Sequence, residues 1–151
     1  MKKIKPFALA CCVLLLASNT SFAQAESTRF IEARYYGCEI ELSILNQFLG
    51  QLQNQPQLRG YIIVYAAREG SRVNTARAYG ERMKKYLVTS PDFDKERVTV
   101  IDGGFREKLS YELWLASPGA EAPHPTPTVS KERVKLKGGR TRLRSCGEIS
   151  G

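Results

Sequence analysis

Two periods of apolar residues alternate along the chain, and each change of period marks an element. Residues 28–36 (TRFIEARYY) are rich in β-branched and aromatic side chains and stop at Gly37, which predicts a strand. In residues 39–53, Ile44, Leu45, Phe48, Leu49 and Leu52 fall at spacings of one, three and four, a single apolar stripe on a helix. Residues 54–60 contain Pro56 and Gly60 and predict a connection. Residues 61–67 form a near-continuous apolar run, the pattern of a strand buried on both faces. Residues 74–89 predict a second amphipathic helix: Ala76, Tyr79, Met83, Tyr86 and Leu87 face inward, and Arg77, Glu81 and Lys85 make a solvated charge ladder. Ser90-Pro91-Asp92 ends it. Residues 97–102 (RVTVID) predict a third strand, Gly103-Gly104 a turn, and residues 111–116 (YELWLA) a fourth strand whose Glu112 is expected to point to solvent.

The order is β-α-β-α-β-β. Two strand-helix-strand crossovers imply parallel pairing, and the last two strands are expected to pair antiparallel through the short connection between them. The predicted fold is α+β, a single mixed sheet with two helices on one face. Residues 26–117 supply it. Residues 118–130 change character: Pro118, Pro123, Pro125 and Pro127 predict an extended, semi-rigid linker. Beyond it, residues 133–144 (RVKLKGGRTRLR) predict a basic C-terminal β-hairpin turning at Gly138-Gly139.

Residues 1–25 alter the picture of where this domain resides. Lys2, Lys3 and Lys5 precede an apolar stretch of eleven residues (7–17), and Ala23-Gln24-Ala25 has the small-x-small form of a cleavage site. A membrane-spanning helix needs about 20 apolar residues, so a cleaved export signal, cut after Ala25 or Ala23, is the expectation, with a short membrane anchor as the alternative. The expected location is the periplasm or the medium. Residues 26–130 then carry 13 basic and 13 acidic side chains, whereas residues 131–151 carry seven basic and two acidic. The positive excess therefore lies wholly in the tail, on Lys131, Arg133, Lys135, Lys137, Arg140, Arg142 and Arg144. In the predicted hairpin, like charges stand opposite one another on one face. That face either meets an anionic partner or keeps a sheet edge from pairing with other chains.

Cys38 and Cys146 remain after cleavage, 108 positions apart. One disulfide is their simplest state in an oxidising compartment; free thiols and an intermolecular bridge are the alternatives. There is no CxxC motif, metal-ligand spacing, P-loop or GxSxG, and no cofactor motif. His124, the sole histidine, lies between two prolines. Carboxylates such as Asp102, Glu107 and Glu112 offer the chemistry of an acid/base pair, but turn chemistry accounts for Asp102 and a solvent-facing position for Glu112 more simply. The expectation is a non-enzymatic protein. Nucleic acid is a poor partner, since no basic patch is interleaved with aromatics. Arg68, Arg72, Arg77 and Arg82 lie on or soon after one strand-to-helix loop. A helix N-terminus favours anions, so they form either an anion site or an ordinary solvated loop balanced by Glu69.

With these elements placed, residues 29–117 resemble the OmpA-like domain, a periplasmic module that binds peptidoglycan. The likeness rests on the element order, on the helix ending Met83-Lys84-Lys85-Tyr86-Leu87-Val88, and on Asp94-Lys95-Glu96-Arg97-Val98-Thr99-Val100 followed by Gly103. It implies an envelope-binding module with peptidoglycan or another anionic envelope polymer as partner. The chain departs from the family at the ligand contacts. Where the family follows its second strand with Gly-x-Thr-Asp, this chain has Tyr65-Ala66-Ala67-Arg68, and the family's helix arginine falls on Tyr79, with Arg77 and Arg82 nearest. An acid that would attract an ammonium has become a cation, which reverses the contact. The alternative is a structural or protein-interaction module that has lost the peptidoglycan site.

Overall fold

A computed structural model describes residues 25–144 and 146; the predicted export signal lies outside the described residues. The elements are β1 (Ser27–Arg34), α1 (Cys38–Asn54), β2 (Arg59–Ala67), α2 (Thr75–Leu87), β3 (Val98–Arg106) and β4 (Ser110–Ala116). Single 3-10 turns occupy Lys95–Arg97 and Lys131–Arg133. The strands make one mixed sheet in the order β1-β4-β2-β3. β2 and β3 are parallel, as a crossover through α2 requires, and β4 lies antiparallel to both β1 and β2.

Two local expectations are corrected. β3 and β4 do not pair with each other: residues 107–109 carry the chain past the end of β2, and β4 enters between β2 and β1. Gly103-Gly104 is not a turn but an irregularity inside β3, where the register against β2 shifts between Val64 and Ala66. Gly104 has φ +82°, its N–H donates to the Asp102 carboxylate at 2.9 Å, and a Cβ on Gly103 would lie 2.6 Å from the Tyr65 ring. A β-bulge explains both: it takes up one extra residue and lets an aromatic ring close on the backbone.

Both helices bury their stripes on one face of the sheet. Leu45, Phe48 and Leu52 of α1 and Ala76, Met83 and Leu87 of α2 meet Ile62, Val64 and Ala66 of β2, Val98 of β3, and Tyr111 and Leu113 of β4. Arg97 anchors the start of β3, its guanidinium donating to the carbonyls of Leu52, Gln55 and Leu58 at 2.6–3.1 Å.

The other face has its own cover. Ile63 and Tyr65 are fully buried, although both point away from the helices. Part of the Pro-rich segment expected to act as a linker lies against Tyr65 and Phe105. The Thr126 N–H donates to the Tyr65 hydroxyl at 3.0 Å, and the N–H groups of Thr128 and Val129 donate to the Phe105 carbonyl at 3.0 and 3.1 Å. Pro123 and Val129 are buried. An extended segment that lacks N–H groups at its prolines suits this position, because it covers apolar surface without burying unpaired donors.

Candidate functional site

The loop between β2 and α2 is held by the C-terminal tail. The Lys135 N–H donates to the Arg68 carbonyl at 3.2 Å and the Lys137 N–H to the Ser71 carbonyl at 2.8 Å, so residues 135–137 run beside residues 68–71. Farther on, the tail reaches the start of α2. Asn74 binds the backbone of Thr141 on both sides, its amide donating to the carbonyl at 3.2 Å and its carbonyl oxygen accepting from the N–H at 2.7 Å. The hydroxyls of Thr75 and Thr141 lie 2.8 Å apart. Asn74 is the residue before the helix, yet its side chain makes no cap bond to α2 because it is spent on Thr141.

The expected hairpin is therefore replaced. Among the described residues, no backbone pairing joins 134–137 to 140–143. A hairpin would set Lys137 against Arg140 and Lys135 against Arg142, with a repulsion in each pair. The observed path instead gives the N–H groups of Lys135 and Lys137 partners on the β2–α2 loop.

This path brings part of the two predicted basic sets together. Arg72 from the loop and Arg140 and Arg142 from the tail enclose, with Gly139 and Thr141, a cleft of about 550 Å³. Among the described residues none of the three arginines has a carboxylate within ion-pair distance. Lys135 and Lys137 flank the loop, and Arg144 is exposed farther along. Arg68 is placed differently, between Glu107 at 3.3 Å and Glu69 at 3.5 Å. Arg77 is exposed on α2 and is not part of the cleft.

Arg82 faces inward, and no part of it belongs to the loop surface. Its guanidinium holds both oxygens of Glu41 at 2.7 and 2.8 Å, 4.7 Å from the centre of the Tyr79 ring and 5.4 Å from that of Tyr35. The two rings meet edge to face at 5.1 Å. Burial raises the Glu41 carboxyl above the usual range, against the charge and hydrogen bonds of Arg82. Burial works against the charge on Arg82 as well, but the charge and hydrogen bonds of Glu41 outweigh it and hold the guanidinium above its ordinary value. Cys38 and Cys146 form a disulfide beside this pair, with Cα atoms 5.3 Å apart and the Cys146 sulfur 3.5 Å from a Glu41 oxygen. Sequence reasoning missed Glu41. Its signal was present: Glu41 stands one turn before Leu45, on the apolar stripe itself.

A second polar network lies on the helix-free face. Glu32 and Glu112 are direct partners across β1 and β4, an arrangement that repels unless a cation bridges it. Arg106 does so, donating to both carboxylates at 2.5 Å while its guanidinium stacks 3.6 Å from the centre of the Tyr65 ring. Trp114 donates its indole N–H to Glu112 at 2.9 Å. Glu112 is 1 % exposed, which corrects its expected solvent position. Burial opposes the charge on Arg106, and the hydrogen bond and charge of Glu112, with Tyr65 and Glu32, more than restore it. The three carboxylates weighed as an acid/base pair are thus each engaged apart: Glu112 with Arg106, Glu107 with Arg68, and Asp102 with the bulge. His124 is exposed, 3.1 Å from Glu121. Among the described residues no cluster of His, Cys, Asp or Glu could hold a metal ion, and no helix is long and apolar enough to cross a membrane. Comparison of the chain with models of known protein families, with curated proteins and with solved structures finds no match in any of the three.

Proposed function

We propose that this chain is an exported, non-catalytic envelope protein of OmpA-like type. In this reading it binds peptidoglycan or another anionic envelope polymer at the cleft formed by Arg72, Arg140 and Arg142. The observation that carries the reading is that these three arginines line one cleft, with no carboxylate of the described residues within ion-pair distance of them. Uncompensated like charges held together by backbone hydrogen bonds are costly unless an anion joins them, and guanidinium groups suit carboxylate and phosphate oxygens. The β-α-β-α-β-β order and the helices on one face agree with the resemblance. The positions where the family keeps its acid and its arginine hold Arg68 and Tyr79, which moves the proposed contact from the family's place to the tail.

The disulfide and the hydrogen bonds of the tail favour a second reading, a structural or interaction module whose tail serves only to pin the loop. Sedimentation with purified peptidoglycan separates the two. The protein is expected to pellet at low salt and to be released as salt rises, because exposed charges are screened beyond about 10 Å at 0.1 M. The R72Q/R140Q/R142Q variant, with an unchanged thermal midpoint, is expected to stay in the supernatant. Protein that stays in the supernatant without any substitution would favour the second reading.

A further inference from the structure

The helix-free face ends in an open groove of about 780 Å³, bounded by the end of β1, the β3–β4 connection and residues 126–128. We propose that this groove is a second binding site, separate from the arginine cleft, and that it takes a small organic acid by its carboxylate.

Strand register sets the floor. Arg34 and Ser110 are direct partners across β1 and β4, and Ser110 and Tyr65 across β4 and β2, so the three form one row over the sheet. Tyr65 is tied to Thr126 and covered by Arg106. Ser110 is the small member of the row, between Arg34 and Tyr65. It is 5 % exposed and lines the groove, and its hydroxyl has no hydrogen-bond partner among the described residues. Buried polar atoms are nearly always paired, so a ligand oxygen placed there completes a bond that the fold leaves open.

Charge selects the ligand. Arg106 is neutralised by Glu32 and Glu112, Arg29 lies 2.7 Å from Glu32, and Glu107 is taken by Arg68. Arg34 and Lys108 are exposed, line the groove and make no ion pair among the described residues. Its uncompensated charge is therefore positive. A carboxylate suits this charge, since its two coplanar oxygens match the fork of a guanidinium. Its oxygens can accept from the Arg34 guanidinium and the Ser110 O–H together. Tyr36, 68 % exposed, offers an aromatic surface at the rim for the body of the ligand. A peptide C-terminus and a uronic acid both present this chemistry.

Titration of 15N-labelled protein with acetyl-trialanine and with digalacturonic acid, each beside its neutral amide or methyl ester, tests the proposal. At least one acid is expected to shift the amide resonances of Arg34, Lys108 and Ser110 saturably while its neutral counterpart does not, and the acid that does so identifies the source. R34Q is expected to weaken binding about tenfold, the usual scale for losing one charged hydrogen bond. S110A is expected to weaken it while leaving the thermal midpoint unchanged or higher, since no internal bond is lost; a hydroxyl with a purely structural role would lower the midpoint. R72Q, which lies in the other cleft, is expected to leave the shifts as they are. Saturable shifts from neither acid, equal binding of the neutral forms, a lowered midpoint in S110A, or loss of binding in R72Q would each overturn the proposal.

Discussion

Glu41 and Arg82 form a costly contact, because both charges lie inside: their side chains are 2 % and 10 % exposed. Breaking such a pair leaves a buried charge alone and costs about 3–5 kcal/mol, whereas replacing both partners by apolar groups is often close to neutral. Urea unfolding of E41L is therefore expected to show a free energy of unfolding lowered by an amount on that scale, and E41L/R82M a value nearer the original. Equal losses in the single and double variants would mean that the pair contributes no coupling. Tyr111, 1 % exposed, lies behind the same pair, and its hydroxyl is pushed up to about 12 by burial, then by the charges of Glu41 and Tyr35. An unfolded tyrosine titrates near about 10. Between these values the unfolded chain has lost the phenolic proton and the folded chain still holds it. Stability is thus whole below pH 10 and falls as pH rises towards 12, by at most roughly 2–3 kcal/mol. Y111F is expected to lose that much less over the same interval; an identical alkaline slope would show that the slope belongs to other groups.

At the scale of elements, the sequence was most legible where one period governs a long stretch. The stripes of α1 and α2 and the apolar run of β2 appear where expected, because a sustained 3.6-residue period and a short continuous apolar run bounded by turn residues leave few alternatives. The run of β2 even carried a message about a layer that composition concealed. Two helices on one face cannot bury Ile63 and Tyr65 on the other, so a strand apolar on both sides implied a second cover, and at Tyr65 the segment around Thr126 supplies it. Prolines marked that segment as extended but not as free. The tail departs from expectation for a similar reason: Gly138-Gly139 permits a hairpin turn, but the N–H groups of Lys135 and Lys137 find the carbonyls of Arg68 and Ser71, distant in sequence. Glu112 and Gly103-Gly104 show the same limit, since their roles depend on Arg106 and Tyr65, which only the fold brings near. Of the candidate site residues, Arg72, Arg140 and Arg142 converge, while Arg82, adjacent to the apolar stripe of α2, is committed to Glu41.

The whole molecule depends on how the tail is fastened. Hydrogen bonds at Lys135, Lys137 and Thr141 fix its course, and the disulfide at Cys146 fixes its end to the first turn of α1. These restraints differ in kind. A surface hydrogen bond contributes about 1 kcal/mol and can open locally, whereas a cross-link across 108 positions removes freedom from the unfolded chain, worth roughly 4–5 kcal/mol in the chain-entropy account. The same bond closes over the Glu41–Arg82 pair, so its removal also wets a buried charge. C38S/C146S is expected to lower the free energy of unfolding by about 4 kcal/mol. Hydrogen exchange should then divide the molecule in two: the amides of Lys137 and Thr141 lose protection towards the level of a free tail, and those of β2 and β4 fall only with global stability. The arginine cleft has two of its three guanidiniums on that tail, so sedimentation with peptidoglycan should weaken in the same variant. Full protection at Lys137 and Thr141 without the disulfide would show that the hydrogen bonds alone hold the cleft together, and the cross-link would then act on stability only.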